Sequence, residues 1–477
     1  MAPELTLGNL QEAVKTAAAF RCRTKLQPVG ADGDKVFPPT YAGGVYAVED
    51  RMIDGRVARC VLLDSVQSQA NRMEEALQDA FLPDWRDMDP KAGAPDCCGL
   101  PILAVYVNER HGWVTSLTAP HRVHDAILRD SEVETERDGQ KARVRFRDSN
   151  IGKAVVAARL HDAAAFYRYC PTALLFGTWD STAGEGLDSA KIPRAVVSEI
   201  IGVDVTPGIR TSSRLDPLGI KAQSATIYRR TDGGWAIQGE DDWIGAQPRD
   251  IKIDKNGQPE RFGKGKPSDI NHGNVTPDLD RFGDAREVRD QHLDRLPDIL
   301  RREGATPIVA YAVRPGGVTM AYALRTWTLS LTQLRRLRFP MERKHNESRD
   351  SAARTVLAAL AVYAVALQHA RGGWLRSRCE LVPCDASQYG AVVLTQIQAD
   401  GTSPVDFRLP TVDEARELLC EALKEAEAGT AGIVWEKRVV RLTATELLSK
   451  LVELSDARQP DDSGDGAAGV DDAGDQS

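Results

Sequence analysis

Aromatic residues are scarce, 6% of 477, which argues against a surface built to stack long runs of bases on rings. Net basic charge is missing too: 61 Lys and Arg stand against 69 Asp and Glu, a formal charge of −8. The deficit is local, because residues 459–477 carry six Asp and no Lys or Arg. The rest of the chain is near neutral, so any polyanion must be met by patches and not by overall charge. The eight cysteines (Cys22, Cys60, Cys97, Cys98, Cys170, Cys379, Cys384, Cys420) show no zinc spacing. Cys97 and Cys98 are adjacent, and Cys379-x4-Cys384 has no second pair or nearby His to close a site. They read as reduced, structural thiols. There is no glycine-rich phosphate loop and no Gly-x-Ser-x-Gly elbow. The longest apolar stretch, Thr355–Gln368, is too short to span a bilayer and reads as a buried helix. MAPELTLGNLQEAVK lacks a basic region ahead of an apolar run, so no secretory or transit signal is expected, and a cytoplasmic location is.

The most informative stretch present is VLLDSVQSQANRMEEALQDAF, residues 61–81. A buried strand over 57–63 runs into an amphipathic helix with Val66, Ala70, Met73, Leu77 and Ala80 on one side. Asp64 is the expected N-cap, and Gln67 three residues on completes a capping-box pattern. Gln67, Ser68, Asn71 and Arg72 cluster within the first two turns. Amide, hydroxyl and guanidinium donors beside a helix start suit phosphate oxygens. None is a nucleophile or a good general base, so the patch can hold a polyanion but not cut it.

Residues 18–26 alternate strictly, with Phe20, Cys22, Thr24 and Leu26 on one face and Arg21, Arg23 and Lys25 on the other. This is a strand with a basic stripe. Residues 130–147 read as a hairpin whose Asp138-Gly139 turn sets the register. Glu136 then faces Lys141, Glu134 faces Arg143, Glu132 faces Arg145 and Asp130 faces Arg147, so these cations are neutralised in place.

Elsewhere the pattern predicts a short helix over 120–129, a five-turn helix over 151–169 and strands over 173–176 and 196–201. A strand is expected over 308–313, another over 318–328, and a short helix capped by Ser330. A long helix near 351–370, strands near 378–382 and 391–397, and helices near 412–426 and 444–454 complete the body. Arg210, Arg214 and Lys221 lie among Gly, Pro and Ser and add basic candidates. Residues 231–275 are polar and glycine-rich, with Lys252, Lys255, Arg261, Lys264 and Lys266 scattered through, and they read as a mobile insertion. The tail 459–477 is expected to be disordered. Strands and helices interleave without a βαβ rhythm, which favours an α+β sheet with helices on one face.

The sole histidine cluster is His121-x-x-His124-Asp125. It has the outline of a metal-dependent phosphohydrolase motif, but the further ligand dipeptides are missing around His111 and His161. A polar helix start with His121 or Arg122 touching RNA is the better reading. No metal and no cofactor is expected.

Five segments together, LLDSVQSQANRMEEAL (62–77), PHRVHDAILRDS (120–131), LFGTWDS (175–181), KPSDINHGN (266–274) and GGVT…LSLTQLRRLRFP (316–340), resemble the type I-G (formerly I-U) CRISPR-associated RAMP protein. The resemblance spans about residues 18–340 in consistent order. It implies an RRM-like (ferredoxin-like) antiparallel-sheet palm with large inserted finger and thumb elements, in a single RAMP-type subunit over 1–458. It further implies a non-catalytic backbone subunit of a Cascade effector, stacked head to tail along CRISPR RNA beside other Cascade subunits. Target DNA would be read by the guide and cut by a recruited helicase-nuclease, with no role for a membrane. Contact with the guide is then expected through phosphates and 2′-hydroxyls. The alternatives are a RAMP-type endoribonuclease acting through His121 or His124 and a metal-dependent phosphohydrolase.

Overall fold

The computed structural model describes residues 2–41, 45–87, 99–137, 140–180, 191–208, 211–214, 216–221, 224–240, 242–273, 275–279, 316–385, 392–428 and 431–457. The chain divides into two compact units, one of residues 1–39, 48–205 and 320–455, the other of residues 40–47, 206–319 and 456–477. The architecture is mixed α+β, with antiparallel pairing dominant.

The larger unit is organised by β1 (Ala17–Pro28), whose strict alternation puts Phe20 and Cys22 inside with no exposure and Arg21 and Arg23 outside. From one edge the main sheet runs Gly373–Arg376, Cys379–Pro383, β1, Tyr322–Ser330, Val196–Val203, β3 (Arg56–Asp64) and β2 (Val48–Ile53). The first half of β1 also pairs with Val393–Gln398, which carries Val405–Arg408 on its far side. In register, Cys22 stands opposite Trp327, which stands opposite Ser198. This row faces the helices.

Three helices cover that face. α1 (Leu7–Thr16) is closed by a capping box between Thr6 and Asn9. α2 (Val66–Phe81) is capped by Ser65, whose hydroxyl accepts from the Ser68 N–H at 3.2 Å. Asp64 is therefore not the N-cap; it is the last residue of β3 and wholly buried. α2 buries Ala70, Met73, Leu77 and Phe81, each large side chain contributing about 1.5–3 kcal/mol. Glu347–Ala370 is the one described helix with the length and hydropathy to cross a membrane. Its apolar residues point all round because it is the central core helix, packed by α1, α2 and Val412–Glu427. Asn346 caps it, and Glu347 and Asp350 in its first turn suit the helix dipole.

A second sheet of the same unit runs β5 (Gly112–Thr115), β4 (Leu103–Asn108), Val440–Ala444, β6 (Ser131–Arg137) and β7 (Gln140–Arg145). The β6–β7 register is the expected one for Glu132/Arg145, Glu134/Arg143 and Glu136/Lys141. The fourth pair fails: Arg147 sits in a 3-10 turn and binds Asp180 at 2.6 Å, while Asp130 binds Arg129.

Two helical expectations and one strand need correction. Residues 151–169 form two helices, Asn150–Ala157 and Ala164–Tyr169. Between them Arg159 donates to the carbonyls of Val156 and Ala158, satisfying the exposed C-terminal end. Gly152 in the first of these helices is required, since a Cβ there would stand 1.9 Å from the Phe146 carbonyl oxygen. Residues 172–176 are a short helix, not a strand, stopped by Gly177 at φ 81°; a four-residue apolar run has no period to tell the two apart. Residues 120–129 split into a 3-10 turn Arg122–His124 and a single turn Ala126–Arg129.

The smaller unit holds a three-stranded sheet, Ile227–Arg229, Trp235–Gln238 and Trp243–Ile244. Ile227, Ala236 and Ile251 are buried, Tyr228 meets Trp243 edge-on at 5.0 Å, and Arg229 lies over Phe262 at 4.5 Å. Much of 231–275 is thus built around a small core, where polar composition suggested a bare loop. The expected strand 308–313 and the tail 459–477 lie outside the described residues.

Candidate nucleic-acid interface

The second face of the main sheet presents the stripe. Arg21 stands opposite Thr328, Arg23 opposite Thr326 and Lys25 opposite Leu324. Arg21 and Arg23 are exposed, and among the described residues neither forms an ion pair. Acids stand one strand further out on either side. Glu199 pairs across Tyr322–Ser330 with Thr326 and is held by the Arg51 guanidinium. Asp406 stands opposite Thr395, the partner of Arg21, and accepts from the Thr395 hydroxyl at 2.6 Å. Lys25 is half-buried, with its ammonium 4.5 Å from the Tyr322 ring centre, a cation–π contact. The outcome is a ridge of cations flanked by threonine hydroxyls, which can hold phosphates and riboses without reading bases.

The α2 patch is built differently. Gln67 and Asn71 are exposed. Ser68 is engaged with the cap, its hydroxyl 3.2 Å from that of Ser65. Arg72 donates to Asp64 at 3.0 Å and to the Leu375 carbonyl at 2.7 Å. Asp64 also accepts from Gln69 at 2.6 Å and Arg376 at 3.2 Å. Arg72 thus ties the strand Gly373–Arg376 to α2. Because Gln69 bonds Ser198 on the helix-covered face, α2 and the stripe lie on opposite faces and form two patches.

Arg122 is buried and donates in fork geometry to Glu74, at 2.7 and 2.8 Å, and to the Gly177 carbonyl at 2.9 Å. Burial pushes the Glu74 carboxyl up, and Arg122 opposes that. This guanidinium is an internal anchor, and we remove it from the RNA-facing set. His121 is exposed. The His124 side chain is buried against Phe166, and burial pushes its ring down to about 4. Asp125 caps the following turn, accepting from Ile127 and His121. Among the described residues these three do not form a group with ligand atoms within 4.8 Å of one another. Lys221 is exposed. Arg210 lies outside the described residues, as does the side chain of Arg214 in the strand Thr211–Arg214.

Among the described residues one trio brings metal-ligating atoms within 4.8 Å of one another, His345, Glu347 and Asp350. Asp350 already accepts from Arg338, Arg354 and the Phe339 N–H, so its oxygens serve the start of the core helix.

The main sheet of the larger unit has helices on one face and the exposed Arg21 and Arg23 on the other. Residues 20–207, from β1 through the strand Val196–Val203, match the family model described as CRISPR-associated protein GSU0053 (Cas_GSU0053), and the match marks a CRISPR-associated protein family. No curated protein matches the chain.

Proposed function

We propose that this chain is a non-catalytic, CRISPR RNA-binding backbone subunit of a type I-G Cascade, a RAMP protein stacking head to tail along the guide in the cytoplasm. The observation that carries this reading is the pair Arg21 and Arg23, exposed on a sheet face opposite Thr328 and Thr326 and without an ion pair among the described residues, with Lys25 half-buried next in the row. The family match supplies the CRISPR context. Strand order supports a ferredoxin-like palm. Cys379–Pro383, β1, Tyr322–Ser330 and Val196–Val203 stand side by side, with α2 and the long helix in the two crossovers. Taken in chain order those strands lie 4-1-3-2, as a split βαβ pair does. Head-to-tail stacking would place successive stripes along one strand of RNA, other Cascade subunits at the ends, and target DNA against the exposed guide bases. A helicase-nuclease would then be recruited for cutting, since the stripe offers grip and no base or nucleophile.

The test is to purify the chain with the other subunits encoded beside it and size the bound nucleic acid. A uniform RNA carried by an assembly with several copies of this chain is expected. Random-length RNA, or site-specific cleavage of repeat RNA by the chain alone without metal, would overturn the reading.

A further inference from the structure

Behind the sheet, on the helix-covered face, lies a cavity of about 320 Å³ between α2, the end of the long helix and the strands Gly373–Arg376 and Cys379–Pro383. Its base is Arg325, 6% exposed. One guanidinium nitrogen lies 3.0 Å from Nδ1 of His369, and Nε has no partner. Among the described residues no carboxylate pairs with it. Burial and Arg325 itself both push His369 down, which keeps the imidazole neutral and able to accept. A buried cation without a counter-charge is costly, and a site that keeps one is arranged for an anion.

Other lining groups narrow the class. Arg371 lies at the rim, paired with Asp79. Arg72 is held by Asp64, which Arg376 helps to neutralise, and Glu75 stands exposed at the mouth. Gln368 donates to Gln69, but its own carbonyl oxygen is buried and unpartnered. The occupant must therefore bring a hydrogen-bond donor as well as an anion. Leu26, Ile200, Leu375 and Pro383 give apolar walls, and the exposed Trp374 gives a ring at the opening. Organic ligand sites begin near this volume, roughly 300 Å³.

We propose that this cavity binds one nucleotide unit. Its phosphate would seat on the Arg325 fork, a base amino or ribose hydroxyl would donate to Gln368, and the ring would lie against Trp374. The site faces away from the stripe, so it is independent of guide gripping by Arg21 and Arg23.

The full-length chain, freed of nucleic acid, is titrated calorimetrically with inorganic phosphate, with AMP and with a ribo-oligonucleotide. AMP is expected to bind more tightly than phosphate, and Arg325→Met to weaken both at least about tenfold, the scale of one charge-assisted contact. Gln368→Met should weaken AMP and leave phosphate unchanged. If AMP does not bind but the oligonucleotide does, and loses the same factor in Arg325→Met, the unit comes from a strand and not from free nucleotide. Unligated Arg325→Met should melt at or above the wild-type temperature, because it removes an uncompensated buried charge. A clearly lower melting point, or ligand affinities that Arg325→Met leaves untouched, would overturn the proposal.

Discussion

Two strands of the larger unit carry rows of arginine at every second position, and what stands opposite those arginines differs. On β7, Arg143 and Arg145 stand opposite Glu134 and Glu132. On β1, Arg21 and Arg23 stand opposite Thr328 and Thr326. Counted along the sequence the rows look alike. Across the strand pair they differ, because an opposed carboxylate spends the cation's field within a few ångströms, whereas a threonine leaves it to act over roughly a Debye length. What matters for binding is the charge left after pairing.

The contrast breaks most sharply under charge reversal. Arg21→Glu with Arg23→Glu should lower RNA affinity at least about 100-fold at moderate salt and flatten the salt dependence, since two phosphate contacts become repulsions. Arg143→Glu with Arg145→Glu should leave RNA affinity within about twofold. It should instead lower stability, because like charges then face each other across the hairpin. Fluorescence anisotropy across a salt titration, with melting curves for both variants, compares the two; equal losses of RNA affinity would remove the distinction.

Arg122 sharpens the comparison from inside the core, where pairing is complete. Arg122→Leu leaves Glu74 buried without its partner and should cost about 3–5 kcal/mol in urea unfolding at neutral pH. The pH sense follows from the Glu74 carboxyl, which burial holds above its usual range against the opposing pull of Arg122. Without Arg122 the upward shift grows, so the folded state binds the proton more tightly than the unfolded chain. Stability is then retained at acid pH and lost as pH rises through the folded value. The variant should be least impaired near pH 5 and worst near pH 8, and adding Glu74→Met should recover most of the loss. A deficit independent of pH would mean that packing, not charge, is what Arg122 supplies.

These cases mark where the sequence is legible. The β1 stripe, the β6–β7 register, the Ser330 cap and the core helix all follow from periods and turn signals within a dozen residues. Pairings between distant segments do not. Arg122 meets Glu74 across 48 positions, and Asp64 meets Arg376 across 312. No local pattern announces either, and so Arg122 read as an RNA contact and Asp64 as a helix cap. Segment 172–176 shows a different failure: without length, apolar content fits helix and strand equally. In the smaller unit, a few scattered residues such as Ile227, Tyr228 and Trp243 suffice for a core, too few to lift the composition above that of a loop.

The smallest effects are expected at the start of α2, and they separate two kinds of contact within one patch. Gln67 and Asn71 are exposed and uncharged, whereas Arg72 is bound to Asp64 and the Leu375 carbonyl. If the guide reaches this patch, Gln67→Ala and Asn71→Ala should each weaken RNA binding about two- to tenfold, the value of one neutral hydrogen bond. Neither should change the salt slope, because no counterion is released by an amide. Arg72→Ala should act mainly on the fold. Asp64 keeps Gln69 and Arg376, so the expected loss is about 1–3 kcal/mol of stability with RNA affinity changed by less than either amide variant. A salt slope lowered by about one in Arg72→Ala would reverse that order and show the guanidinium leaving Asp64 for a phosphate.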